Sequence, residues 1–188
     1  MFLITGAGRS GTAYITRVLK RCGLRVEHER PGRDGCVSGF YCFEAKSYPG
    51  KHVAPRPQFD VILHQVRDPL KTIASVRTGN SRGWAQQFVD VEHSASPLRW
   101  ACYYWKTWNM EAERQALWTY RIEALSDVWI DLQRVLCFDA IYDYATSYIP
   151  LTVNTRAHEA ITWQDVERAA PEIYGDIRAM ADRYGYEV

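Results

Sequence analysis

The stretch Ile4-Thr5-Gly6-Ala7-Gly8-Arg9-Ser10-Gly11-Thr12 narrows the possible folds more than any other part of the chain. Apolar residues run straight into a glycine-rich loop, and Tyr14, Ile15, Val18 and Leu19 then recur at helical spacing. That pattern is a strand, a phosphate-type loop and a helix. Bare N–H groups in such a loop, backed by the positive end of a helix, bind anions. Residues 2–5 are expected as the first strand and 11–22 as the first helix. Gly8, Arg9, Ser10, Gly11, Thr12, Ala13 and Tyr14 are the candidate anion-site residues.

The alternation continues along the chain. Residues 24–28 read as a second strand, and 61–66 as a mainly apolar strand of the kind buried on both faces of a parallel sheet. Asp68-Pro69 opens a helix to about Arg77, with Asp as cap and Pro in the first turn. Pro97 opens a long helix through about Gln115. A strand over 117–122 and a helix over 126–136 follow. Thr162-Trp163-Gln164-Asp165 looks like a capped helix start, and Pro171 opens a last helix ending near Tyr184. Residues 30–58 hold four Gly and four of the eight Pro, and are expected as a long loop or lid. Residues 80–96 are expected as irregular and 138–160 as loop-rich. Strands alternating with helices predict one three-layer α/β/α domain over 1–188, with a central parallel sheet.

Composition excludes more than it selects. A chain of 188 residues, 47% hydrophobic and 24% charged, has the make-up of a globular protein. A net charge of +1 gives no push toward nucleic acid or a membrane surface, so phosphate binding has to be local. The five Cys are odd in number and form no C-x-x-C pair, which reads as reduced thiols in a cytoplasmic protein. No apolar run approaches the roughly 20 residues of a membrane span.

Gly6 and Gly11 fit a nucleoside-triphosphate P-loop, but Thr12 stands where that motif has Lys and Ala13 where it has a hydroxyl residue. The basic residue is displaced to Arg9. A second segment, Arg67-Asp68-Pro69-Leu70-Lys71-Thr72-Ile73-Ala74-Ser75, follows the strand at 61–66. Together the two segments resemble the sulfotransferases that use 3′-phosphoadenosine 5′-phosphosulfate (PAPS). In that family a [KR]-S-G-T loop holds the 5′-phosphosulfate. A strand-end Arg and a Ser eight residues on hold the 3′-phosphate, and Arg67 and Ser75 have that separation. Trp118-Thr119-Tyr120-Arg121-Ile122-Glu123-Ala124-Leu125 is similar to the family's R-Y-E-D-L strand end, with Ile122 for Tyr and Ala124 for Asp. The resemblance implies PAPS as co-substrate, a small-molecule or glycan acceptor, and no metal.

It also implies a base for the acceptor proton, which the family takes from His or Glu. Val26-Glu27-His28-Glu29, followed by Gly32-Arg33-Asp34-Gly35-Cys36-Val37-Ser38-Gly39-Phe40, resembles the G-H-E…D-G-x-x-S-W stretch of some bacterial sulfotransferase-like sequences. Glu27 replaces its Gly, and Gly39 its Trp. Glu29 is the first candidate base and His28 the second, against a solvated strand end. His64 is a mid-strand alternative, or a core histidine. Tyr14 stands where the cytosolic branch stacks a Trp on adenine, and is otherwise an ordinary helix-face aromatic. Asn154-Thr155-Arg156 resembles an N-[ST]-R segment whose Arg approaches the nucleotide. Lys46 and Lys51 are possible sulfate contacts or solvated lysines. Glu123 reads as a loop anchor. A nucleoside or sugar kinase, and a non-catalytic nucleotide-binding member of the same fold, are the rival readings.

Overall fold

In a computed structural model, residues 1–48, 55–79, 82–150 and 157–188 are described. Five parallel strands form one sheet: β1 (Phe2–Thr5), β2 (Val26–His28), β3 (Gly35–Val37), β4 (Val61–Val66) and β5 (Thr119–Arg121), in the order β2-β3-β1-β4-β5. The helices are α1 (Thr12–Arg21), α2 (Pro69–Arg77), α3 (Arg82–Ala85), α4 (Pro97–Gln115), α5 (Trp129–Leu136), α6 (Tyr142–Thr146), α7 (Trp163–Ala169) and α8 (Pro171–Arg183). The expected α/β architecture is therefore present. Two expectations need correcting: 80–96, expected as irregular, holds α3, and the stretch 30–58 is not all loop. The latter contributes β3, which lies between β2 and β1.

The short apolar run of β1 is fully enclosed because it is the middle strand. Phe2 and Ile4 face a core with Ile15, Val18 and Leu19 of α1 and Trp129 and Leu132 of α5. Leu3 faces the other way, toward Cys36, Tyr41 and Tyr48. A third and larger cluster joins Val66 to Ile73 of α2, the Trp-rich face of α4, Val166 of α7 and Ile177 of α8. Helices thus cover both faces of the sheet, as a parallel sheet requires.

Caps decide where several helices start. The Asp68 carboxylate accepts from Lys71 N–H at 3.0 Å, with Pro69 in the first turn of α2. Ser96 does the same for α4, and Thr162 with Asp165 forms a capping box on α7. By contrast α1 has no side-chain cap and no acid in its first turn. Its open amino end lies at the carboxyl edge of the sheet. Register pairs Thr5 with His64, His28 with Val37 and Val66 with Arg121. The residues that follow each strand therefore emerge along one edge, where ligands of open α/β sheets bind.

Candidate functional site

The loop between β1 and α1 is built by close packing against β4. A Cβ on Gly6 would lie 2.2 Å from the Gln65 carbonyl oxygen, so no larger residue fits. The Gln65 side chain ties the loop down. Its Nε2 donates to Ser10 O at 2.8 Å, and its Oε1 accepts from Tyr120 Oη at 2.8 Å. Arg9 and Gly11 both take the left-handed backbone, at φ 75° and 90°. That conformation costs a non-glycine residue about 1–3 kcal/mol, and such strain clusters at functional loops.

The strained geometry leaves donors open. Among the described residues, the N–H groups of Gly11, Thr12 and Ala13 have no acceptor, whereas Tyr14 N–H and Ile15 N–H both reach Gly11 O. Ser10 is fully buried and its Oγ is also without a partner. Three amides at an uncapped helix start, on the wall of a cavity, are donors that an anion could occupy.

The cations of the second segment meet this loop. Arg67 Nη1 donates to Arg9 O at 3.2 Å, and Arg9 Nε donates to Ser75 Oγ at 3.0 Å. Arg9, Arg67 and Lys71 line the cavity. Ser75 is 2% exposed and reaches the cavity through Arg9 rather than as a wall of its own. Glu123 is an anchor, as expected: its carboxylate accepts from Asp68 N–H at 2.9 Å and from Tyr186 Oη at 3.0 Å. It thereby holds the start of α2 against the end of β5.

His28 and Glu29 form the facing wall. Glu29 has φ 57°, and its N–H donates to Val37 O at 2.9 Å. The turn aims the carboxylate inward. Glu29 Oε2 accepts from Ser38 Oγ at 2.6 Å, and Oε1 lies 3.6 Å from His28 Nε2. That imidazole nitrogen is 3.1 Å from Thr12 Oγ1, on the first turn of α1. The carboxylate and the imidazole thus sit beside each other on the cavity wall, next to the first turn of α1.

An apolar flank completes the cavity. Tyr14, Ile122, Leu125 and Tyr142 line it together. Burial raises the phenol pKa of both tyrosines. Tyr104, which no motif in the sequence singles out, also reaches the cavity, and its Oη accepts from Gly8 N–H at 3.0 Å. The available signal was the spacing of Trp100, Tyr104 and Trp108, four residues apart on one helix face.

The cavity has a volume of about 610 Å³, within the usual range of small-molecule sites. Two candidates lie elsewhere. His64 is fully buried inside the sheet, and Lys46 lines a separate cavity with Glu44 and Arg56. Asn154, Thr155, Arg156 and Lys51 lie outside the described residues. Among the described residues no group of three or more His, Cys, Asp or Glu side chains is arranged to hold a metal ion, and no helix is long and apolar enough to cross a membrane. No protein-family model, no curated protein and no solved structure matches the chain.

Proposed function

We propose that this chain is a PAPS-dependent sulfotransferase, moving a sulfuryl group to a hydroxyl or amine of a small-molecule or glycan acceptor. The observation that carries the reading is the open row of amides at Gly11, Thr12 and Ala13, flanked by Arg9 and Arg67. The residues present fit the nucleotide at three points. The amides and Arg9 suit the 5′-phosphosulfate. Arg67, with Ser75 acting through Arg9, suits a 3′-phosphate of about two negative charges. Tyr14, Ile122, Leu125 and Tyr142 suit a flat base.

PAPS supplies an activated sulfuryl group. The acceptor oxygen or nitrogen forms a bond to sulfur as the sulfur–oxygen bond to the 5′-phosphate breaks. The electron pair leaves with 3′-phosphoadenosine 5′-phosphate, and the acceptor proton passes to Glu29, with His28 as the alternative base. Ser38 Oγ and Gly39 N–H, donating to its two oxygens, fix the Glu29 carboxylate in place. Arg9 is the residue placed to offset charge on the departing phosphate oxygen.

A kinase reading needs a lysine where Thr12 stands, and the Thr12 hydroxyl is instead engaged by His28. Thermal melting separates the readings. At about 100 times its dissociation constant, 3′-phosphoadenosine 5′-phosphate without metal should stabilise the chain by about 2.7 kcal/mol, or roughly 5–10 °C. ATP with Mg²⁺ should shift it far less. A larger shift with ATP and Mg²⁺ would replace this reading with the kinase one. Nucleotide binding without transfer to any acceptor would leave a non-catalytic binding protein.

A further inference from the structure

The ring column of α4 ends at the phosphate loop. Trp100, Tyr104 and Trp108 share one face of the helix. The Tyr104 ring is stacked between the two indoles, at 5.1 Å and 27° from Trp100 and at 4.1 Å and 26° from Trp108. Trp108 is itself pinned, its Nε1 donating to Gly39 O at 2.9 Å. The phenol therefore cannot swing away from the loop.

Its hydroxyl oxygen accepts from Gly8 N–H. That contact uses a lone pair and leaves the hydroxyl proton uncommitted. Among the described residues the proton has no acceptor, although the ring is only 4% exposed. A buried donor without an acceptor is uncommon and calls for an explanation. Here the residue lines the cavity, beside the loop amides and Arg9. Burial, and then the negative charge of Glu29, push the phenol pKa well above its ordinary value, so the proton stays on at neutral pH. A Gly8 side chain would collide with this hydroxyl, since a Cβ there would lie 2.8 Å from Tyr104 Oη.

We propose that the Tyr104 hydroxyl is a specificity-determining donor for the sulfuryl group, hydrogen-bonding one of its non-bridging oxygens beside the loop amides. The assignment rests on the sulfotransferase reading. It explains how the site would tell the sulfated nucleotide from the product that has lost the group: only the former offers this donor a sulfonate oxygen. A site that cannot make that distinction is held by its own product.

Isothermal titration without acceptor tests it, using PAPS and 3′-phosphoadenosine 5′-phosphate on wild type and Tyr104→Phe. The substitution should cost about ten-fold or more in affinity for PAPS, the scale of a hydrogen bond to a charged group. Affinity for the product nucleotide should fall much less, because that ligand offers the hydroxyl no sulfonate oxygen and loses only the neutral support of Gly8 N–H. Equal losses would show that the hydroxyl only props Gly8, and no loss would show that it does nothing there. Either result overturns the assignment. Wild type binding neither nucleotide would instead overturn the sulfotransferase reading, and this assignment with it. Because Tyr104→Phe also releases Gly8 N–H, 2,3,5-trifluorotyrosine at position 104 is the second variant. It keeps both contacts on a far more acidic phenol. The ratio of its PAPS affinity to its product affinity should fall at a lower pH than in wild type, since the phenolate repels both anions but withdraws the donor from PAPS alone. Parallel pH profiles for the two ligands would overturn the proposal.

Discussion

Two buried polar regions meet at the pair Thr5–His64, and they are satisfied in opposite ways. On β4, His64 is enclosed and both ring nitrogens are used, Nδ1 at 3.0 Å from Thr119 Oγ1 and Nε2 at 3.0 Å from Asn109 Oδ1. Asn109 in turn donates to Trp105 O at 2.9 Å. Immediately after Thr5 the glycine-rich loop begins, and there three backbone donors and a buried serine hydroxyl have no partner among the described residues. Ser10 is as buried as His64, while Gly11 and Ala13 are half-buried on the cavity wall, so burial alone does not separate the two regions. Where the partners lie does. Unpaired buried polar groups are costly, and each one calls for an explanation.

Glu29 lies between these two cases, because its carboxylate is held by Ser38 yet faces the cavity. Glu29→Gln keeps the shape and removes the proton acceptor. Turnover of an identified acceptor should drop roughly 10²–10⁴-fold, with nucleotide affinity unchanged. His28→Asn having that effect in its place would move the base to the imidazole.

Arg67→Ala probes the open region by charge. Affinity for 3′-phosphoadenosine 5′-phosphate should fall about 10–100-fold, as expected for a charge-assisted contact. Binding of adenosine 5′-phosphosulfate, which lacks the 3′-phosphate, should weaken far less. The urea midpoint should barely move. Equal losses for both nucleotides would mean that Arg67 supports the loop through Arg9 O and does not read the 3′-phosphate.

His64 probes the closed region by pH. Burial lowers its pKa to about 4, partly offset by its bond to Asn109, so the folded chain holds the imidazole neutral. The unfolded chain titrates near its ordinary value of about 6.5. Between those values the unfolded state binds more protons, so stability rises with pH there and is lost as pH falls from about 6.5 toward 4. The contribution should reach about 1.4 kcal/mol per pH unit. Urea melts of wild type and His64→Gln across this window should differ in slope by that amount. Nucleotide affinity should stay within about two-fold, and a large loss would dissolve the contrast between the regions.

Much of the scaffold was readable because its signals are local. The apolar runs of β1 and β4, the Asp68-Pro69 and Pro97 starts and the Thr162 cap each announce an element within a few residues. The strand β3 was not readable. Gly35, Cys36 and Val37 are too few to show a period, and they lie in a Gly- and Pro-rich stretch. Only the neighbouring strands make them a strand. The site divides in the same way. Arg9, Arg67, Glu29 and Tyr14 follow strand ends or a loop, so their convergence follows from parallel topology. Ser75 was expected as a direct contact and is buried behind Arg9, since side-chain direction on a helix depends on packing that spacing does not report. No motif marks Tyr104, because its ring is core. Only its hydroxyl, at the far end of a long side chain, belongs to the site.

The most direct measurement is the amide spectrum of ¹⁵N-labelled protein titrated with 3′-phosphoadenosine 5′-phosphate. The open donors should respond and the satisfied ones should not. The account predicts large saturable shifts for Gly11, Thr12 and Ala13 N–H, with the side-chain amide of Asn109, the partner of His64, unmoved. Saturable binding that leaves those three amides unchanged would contradict it.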